Sequence, residues 1–509
     1  MSPVYGIDLG TTYSVLATID ANGQPVALRN SEGEDTTPSA VYFGGPGRQP
    51  IVGRTAQESA IVEPDKVVTL IKRQMGLDVP YDFDGVVHSP ASISALILRK
   101  LVDDARREGG HEVEKAVITV PAYFGTQERE ATREAGRLAG LDVIDILNEP
   151  LAAAFAFGVH TEGQRTVLVY DLGGGTFDAT VLRMGPEGFQ EVYTDGDHEL
   201  GGADWDRRIV ELLGDRFRSE HPDVSDPFDD PETEAEMRRD AEEAKRKLSD
   251  KVAHTVRVRH DGRTTTVELT RDEFESITED LLRQTVDLVR ETLDQARSRG
   301  VDKVDDVLLV GGSTRMPAVA ARLAADLGLD ARHYKPDLAV AFGAARFALE
   351  EELRRLNASG NEGGAAELAR ATDLTRDEVE RIMIAKVVRT TTRAYGVACY
   401  LGGRRDKLRF DHLITAGEAL PFAEEHDYAT VSDEQPGVDV RVYEQASKDL
   451  SADLEDCRAV VDRTLVFSEP RPAGWPLRIS FGIGPDGVLT VRAVETRTGR
   501  ELTFDHEVE

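Results

Sequence analysis

At 509 residues the chain exceeds what a single hydrophobic core organises, and three or four packed units are expected. Hydrophobic residues make up 40% and charged residues 30%, an ordinary folded composition, and no run nears the ~18 apolar residues of a membrane span. Against 61 basic residues stand 93 acidic ones, and the resulting −32 repels nucleic-acid phosphates and anionic lipid, so neither is expected as a partner.

The N-terminal MSPVYGIDLG lacks the basic flank and apolar core of a secretory signal. Cys399 and Cys457 are too few for a disulfide framework, so a cytoplasmic location is the expectation. In chain order, four apolar runs end abruptly in small or special residues: VYGIDLGTT (4–12), AVITVPAYF (116–124), VLVYDLGGGT (167–176) and VLLVGGSTRMP (307–317). They read as strands buried on both faces. Between them, EREATREAGRLAG (128–140) reads as a helix stopped by Gly140, and PLAAAFAFG (150–158) as one with proline in its first turn. Residues 274–296 read as one long amphipathic helix. Alternating strands and helices predict an α/β architecture, and the partial repeat of DLGTT as DLGGGT about 160 residues later predicts two lobes.

The pattern changes near residue 350. Residues 351–389 read as a charged helical connector opened by a Gly/Asn/Ser break. From residue 390 onward strands dominate. Leu477, Ile479, Phe481 and Ile483 alternate, Pro485-Asp486-Gly487 turns the chain, and Leu489, Val491 and Ala493 return it. A second turn near Gly499 leads into Leu502 and Phe504. The expected division is therefore 1–350, 351–389 and 390–509.

A glycine run at the carboxyl end of a buried strand lets a ligand approach the backbone and presents N–H groups as an anion cradle. The GGGT stretch is shaped for phosphate in this way, although a tight strand-to-helix turn needs glycine for geometry alone. All four loops should lie where ligands of open α/β sheets bind. Asp8 and Asp171 precede the two Asp-Leu-Gly turns. A carboxylate aimed at phosphate needs an intervening cation, which points to Mg2+ held largely through water; the other reading is an aspartate capping its own turn. Glu242, Lys245, Arg246 and Ser249, spaced i, i+3, i+4 and i+7, share one helical face. Alone, such a face is most often simply exposed.

These motifs carry a resemblance. GIDLGTTYSVLA, VPAYFGTQEREATREAG, LNEPLAAAFAFG, YDLGGGTFDAT, HELGGADWD, AEEAKRKLS, VLLVGGSTRMP and KPDLAVAFGAA occur in order over residues 1–350. Together they resemble the signatures of the seventy-kilodalton heat-shock chaperone family. The resemblance implies an α/β fold with a two-lobed actin-like ATPase domain that closes on Mg-ATP, followed by a small antiparallel β-sandwich domain that holds extended polypeptide.

Residue by residue, it assigns the phosphates and magnesium to Asp8, Gly10, Thr11 and Thr12 in one lobe. Asp171, Gly173, Gly174, Gly175 and Thr176 form the matching loop of the other, with Gly201 and Gly202 beside them. Lys72 matches the lysine that helps position the attacking water, and Glu149 and Asp178 match carboxylates grouped around it. Base and ribose fall to Glu242, Lys245, Arg246, Ser249, Gly311, Gly312, Ser313, Arg315 and Asp337. A flat Arg315 guanidinium could lie against adenine, which a lysine does less well. Pro121 and Arg129 match the pair that relays nucleotide state to the second domain.

The implied activity is slow hydrolysis of ATP to ADP and phosphate, coupled to binding of unfolded polypeptide. A J-domain co-chaperone and a nucleotide-exchange factor are the implied regulatory partners. Two rivals remain: a metabolite kinase of the same superfamily, and an interaction module whose nucleotide merely sets its shape. Three departures from the family stand out. The segment between Lys72 and ISALILRKL (93–101) is short, the leucine-rich linker gives way to the charged residues 351–389, and a helical lid is not expected after Phe504. A bare groove is expected to release peptide quickly.

Overall fold

The computed structural model describes residues 3–158, 163–391, 393–400, 408–445, 450–484 and 489–505. Contacts divide the chain into two units. The first comprises the chain up to Ala122, Ala131–Phe189 and Thr194–Ala385. The second comprises Tyr123–Glu130, Gln190–Tyr193 and the chain from Lys386.

Two sheets of like design organise the first unit. In one, the central strand Val4–Asp8 pairs antiparallel with Tyr13–Ile19 and parallel with Lys115–Val120, which in turn pairs parallel with Asp142–Asn148. In the other, Arg165–Leu172 pairs antiparallel with Phe177–Gly185 and parallel with Asp306–Val310. The four apolar runs are thus strands, and all five residues of Asp306–Val310 are buried. Uninterrupted burial follows from helices covering both faces of a largely parallel sheet. The helices Glu149–Gly158 and Ala339–Ala358 cross so closely that a Cβ on Gly343 would sit 1.6 Å from Ala152 O. Glycine there lets two backbones touch.

Two expectations are corrected. Residues 274–296 are not one helix but parts of two, Arg271–Ile277 and Glu279–Ser298. Thr278 leaves helical geometry at φ −119° and ψ 10°, and its hydroxyl donates to Phe274 O at 2.8 Å. Acidic residues open both first turns, where they favour the positive end of a helix. The apolar periodicity runs across the break and conceals it.

The chain around residue 350 also differs. Helix Ala339–Ala358 passes straight through that position, and two capped helices follow. Asn361 caps Glu362–Ala371, and Thr375 with Glu378 forms a capping box on Arg376–Ile384. Arg354 donates to Ile382 O from Nε at 3.2 Å and from a terminal nitrogen at 3.0 Å. Residues through Ala385 therefore group with the first unit.

In the second unit two four-stranded antiparallel sheets share one apolar cluster. The first sheet runs Arg409–Ile414, Ala394–Cys399, Gln435–Gln445, Arg458–Arg471. The second runs Phe422–Ala429, Pro476–Ile483, Leu489–Glu495, Arg500–Asp505. The alternation read at 477–483 is real, since Leu477, Ile479, Phe481 and Ile483 are all buried. Phe481 faces Val491 and Ile483 faces Leu489 in register. The turn at Pro485-Asp486-Gly487 lies outside the described residues, as do the side chains of Leu502 and Phe504.

Candidate functional site

Strand ends and one short turn bring five charges together in the first unit. Asp8 closes the central strand of the first sheet, and Asp171 pairs in register with Asp178 on the second. Glu149 is the first residue of its helix, and Lys72 lies in the 3-10 turn Ile71–Gln74. Lys72 is 4% exposed and donates to Glu149 Oε1. Thr119 Oγ1 donates to Asp8 Oδ1 at 3.1 Å, and Ala122 N to Asp178 Oδ2 at 3.4 Å. Asp178 Oδ1 is buried without a hydrogen-bond partner among the described residues, an acceptor left for a donor such as water.

One ammonium faces four carboxylates, and the titrations reflect the imbalance. Burial pushes Asp8 from 3.8 up to about 7; the Glu149 charge adds to this, while Lys72 and Thr119 oppose it. Burial first and the Glu149 charge second hold Asp171 and Asp178 well above the usual carboxylate range. Such a cluster favours a cation. Yet among the described residues no three His, Cys, Asp or Glu converge to hold a metal directly. Two carboxylates, Asp8 and Asp171, suit a cation such as Mg2+ that keeps several waters.

The raised carboxylates set a sign for stability. Above about pH 4 an unfolded aspartate is ionised. The folded chain keeps the proton until its higher pKa, so the ligand-free protein loses stability as pH rises through the interval between. Asp178→Asn removes one such charge. Its Tm should exceed the parent's at pH 8 and differ little at pH 5, by calorimetry without ligand. An equal change at both values would contradict the burial of that charge.

Facing loops lie beside the cluster. A Cβ on Gly174 would fall 1.9 Å from Thr12 Oγ1, and one on Gly175 would fall 2.3 Å from Thr11 Cγ2. Hence Gly10–Thr12 and Gly173–Thr176 approach each other as bare backbone against short hydroxyl side chains. Gly202 N and Ser313 Oγ both donate to Gly173 O, each at 2.9 Å, while Gly201 packs on Gly175. Gly311, at φ 83°, lies against Asp171.

The helical face of Glu242, Lys245, Arg246 and Ser249 meets these loops in part. Lys245 Nζ donates to Gly202 O at 2.8 Å and pairs with Asp206 at 2.7 Å. Burial lifts Asp206 to about 6 against the pull of Lys245. Tyr13 OH donates to Glu242 Oε1 at 3.2 Å, so Glu242 is tied to the first sheet. Ser249 bonds back to Lys245 O in its own helix, and Arg246 is exposed. Arg315 pairs with Asp337 where both are substantially exposed, next to Gly312. A small cavity beside Ser249 is lined by Trp205, Phe274 and Met316. Pro121 follows its strand in the first unit, whereas Arg129, donating to Phe124 O at 2.9 Å, belongs to the second.

Sequence reasoning passed over three residues. Asp195, 6% exposed, adds a charge that raises Asp178 further. Arg73 and Asp204 bond to each other at 2.7 Å. Position beside Lys72 and the HELGGADWD motif could have drawn attention to the last two; Asp195, inside the strand Gly188–Asp197, had no such signal.

The site and sheets define a class, and comparison identifies it. The model of the Hsp70 protein family matches residues 4–84 and 78–349. "Chaperone protein DnaK" of Halobacterium salinarum (strain ATCC 29341 / DSM 671 / R1) is 36% identical over 505 residues, covering 97% of this chain and 73% of the relative. "Chaperone protein DnaK" of Thermosipho melanesiensis is 35% identical over 513 residues, covering 98% and 79%. The chain belongs to the Hsp70 family. Among its described residues no helix is long and apolar enough to cross a membrane.

Proposed function

We propose that the chain is an ATP-hydrolysing chaperone whose first unit is a two-lobed actin-like ATPase and whose second unit, read as a β-sandwich, binds extended polypeptide under nucleotide control. The observation that carries this reading is the buried Lys72–Glu149 pair, set among Asp8, Asp171 and Asp178 beside two facing glycine-threonine loops. Phosphoryl transfer to water asks a protein for little covalent chemistry and much positioning.

Backbone N–H groups of Gly10–Thr12 and Gly173–Thr176 would hold the phosphates, with Gly201 and Gly202 packed against the second of these loops. Lys72 offsets charge on the transferring group. Glu149, Asp171, Asp178 and Thr176 would orient water, and Asp178 Oδ1, without a partner among the described residues, can accept a hydrogen bond from it. Asp8 and Asp171 would hold Mg2+ through water, and the bound ion supplies charge neutralisation on the phosphates. Glu242, Lys245, Arg246, Ser249, Gly311, Gly312, Ser313, Arg315 and Asp337 frame base and ribose. Pro121 and Arg129 relay nucleotide state. Slow turnover, J-domain and nucleotide-exchange partners and a cytoplasmic setting complete the reading.

The test measures ATP turnover alone, with an unfolded peptide, and with a panel of sugars. Slow turnover stimulated by peptide is expected. Formation of a sugar phosphate would replace this reading with a kinase, and nucleotide binding without hydrolysis would replace it with an interaction module.

A further inference from the structure

Arg73 follows Lys72 in the turn Ile71–Gln74, whose Ile71 is buried and whose next residue, Met75, accepts from Ser94 Oγ at 3.3 Å in the helix Pro90–Gly109. That turn belongs to the half of the first unit built on the first sheet. The Arg73 side chain is nevertheless spent on the other half. Its Nε donates to Gly175 O at 2.8 Å, and a terminal nitrogen donates to Asp204 Oδ2 at 2.7 Å.

Asp204 is a hub. Its side chain is 4% exposed, and the oxygen that takes Arg73 also accepts from Gly201 N at 2.8 Å. The second oxygen pairs with Arg207 at 3.1 Å. Asp204 therefore shapes the Gly201–Gly202 turn at the start of helix Gly202–Glu220 and anchors an arginine from across the cleft. The Arg73 side chain, 17% exposed, reaches two acceptors set apart from each other, which suits a planar guanidinium and not a point ammonium. Hydrogen bonds to ionised groups in sheltered positions are among the stronger ones available.

We propose that Arg73 is a positioning residue that clamps the two halves of the first unit: it ties the turn carrying Lys72 to the loop Gly173–Thr176, with Asp204 as its anchor. Nucleotide retention and the rate of the bound-state reaction then both depend on the clamp. The inference rests on the proposed ATPase reading of this site.

The test uses the full chain with Arg73→Met, Arg73→Lys, Asp204→Asn and the double variant Arg73→Met/Asp204→Asn. Release of a fluorescent ADP by stopped flow, single-turnover ATP hydrolysis and Tm are read for each. Arg73→Met should release ADP about tenfold faster and hydrolyse bound ATP several-fold more slowly, in line with loss of a sheltered charged pair. Arg73→Lys should recover part of both, because one of the two acceptors can still be reached. The double variant should release ADP no faster than Arg73→Met, since the pair acts as one unit.

A purely structural role would lower Tm while leaving release and single-turnover rates of the folded protein within twofold of the parent. That result overturns the clamp, as does additivity in the double variant. Where Arg73→Met fails to fold, Arg73→Lys decides alone on the same rates. A parent protein that neither binds nor hydrolyses ATP would sink the underlying reading and the clamp with it. A working parent with unchanged variants sinks the clamp only.

Discussion

Lys72→Ala is expected to lower ATP hydrolysis by at least an order of magnitude while ATP affinity changes only a few-fold. Among the described residues Lys72 is the ammonium set beside Glu149, Asp8, Asp171 and Asp178, and at 4% exposure it is shielded from water. A preorganised charge beside developing negative charge is worth about 3 kcal/mol, and each ~1.4 kcal/mol is tenfold in rate. In the proposed reading two glycine loops and the Lys245 helix would hold the nucleotide elsewhere, so its affinity should depend little on Lys72. Single-turnover rates and equilibrium binding, measured on the same preparation, separate the two effects. Turnover within twofold of the parent would remove Lys72 from the reaction.

Gly343→Ala should be the most damaging small change to the fold. Glycine inside a helix ordinarily costs about 1 kcal/mol relative to alanine, so propensity alone favours the substitution. Packing opposes it far more strongly. The new methyl would lie 1.6 Å from Ala152 O and 2.4 Å from Ala152 C, both backbone atoms of a helix that cannot swing aside like a side-chain tip. Overpacking of this kind costs about 3 kcal/mol or more, enough to unfold a marginal domain. Gly363→Ala is the matched control, since nothing lies within 4 Å of its added Cβ and helix Glu362–Ala371 should gain slightly. Urea unfolding followed by circular dichroism compares the pair. If Gly343→Ala is as stable as the parent, the close helix crossing is wrong.

Much of the site was legible because its elements are local. Asp8 and Asp171 stand where apolar runs stop, and a run of buried strand followed by glycine has few other meanings. The same locality made Leu477, Ile479, Phe481 and Ile483 readable as one face of a strand, because side chains alternate with period two whatever lies opposite. Gly140 ended its helix as read, in left-handed geometry at φ 89°.

Other features were hidden for stated reasons. The break at Thr278 costs no apolar residue, so periodicity passes over it. The helices after Ala358 read as a connector because their charged composition resembles one; their association with the first unit involves buried Ala365, Leu368 and Ile382 and the Arg354 bonds to backbone carbonyls 28 and 31 residues away.

By itself, then, the sequence determined which segments are buried strands, where glycine frees backbone for a ligand, and, through ordered motifs, the family. Only the tertiary structure decided which charges share a site. Arg73 meets Asp204 across 131 positions and Lys72 meets Glu149 across 77. Whether Asp8 titrates near 4 or near 7 depends on those distant neighbours and on exclusion of water. Backbone form and burial follow from nearby residues, whereas electrostatic energy depends on distances through space that only folding sets.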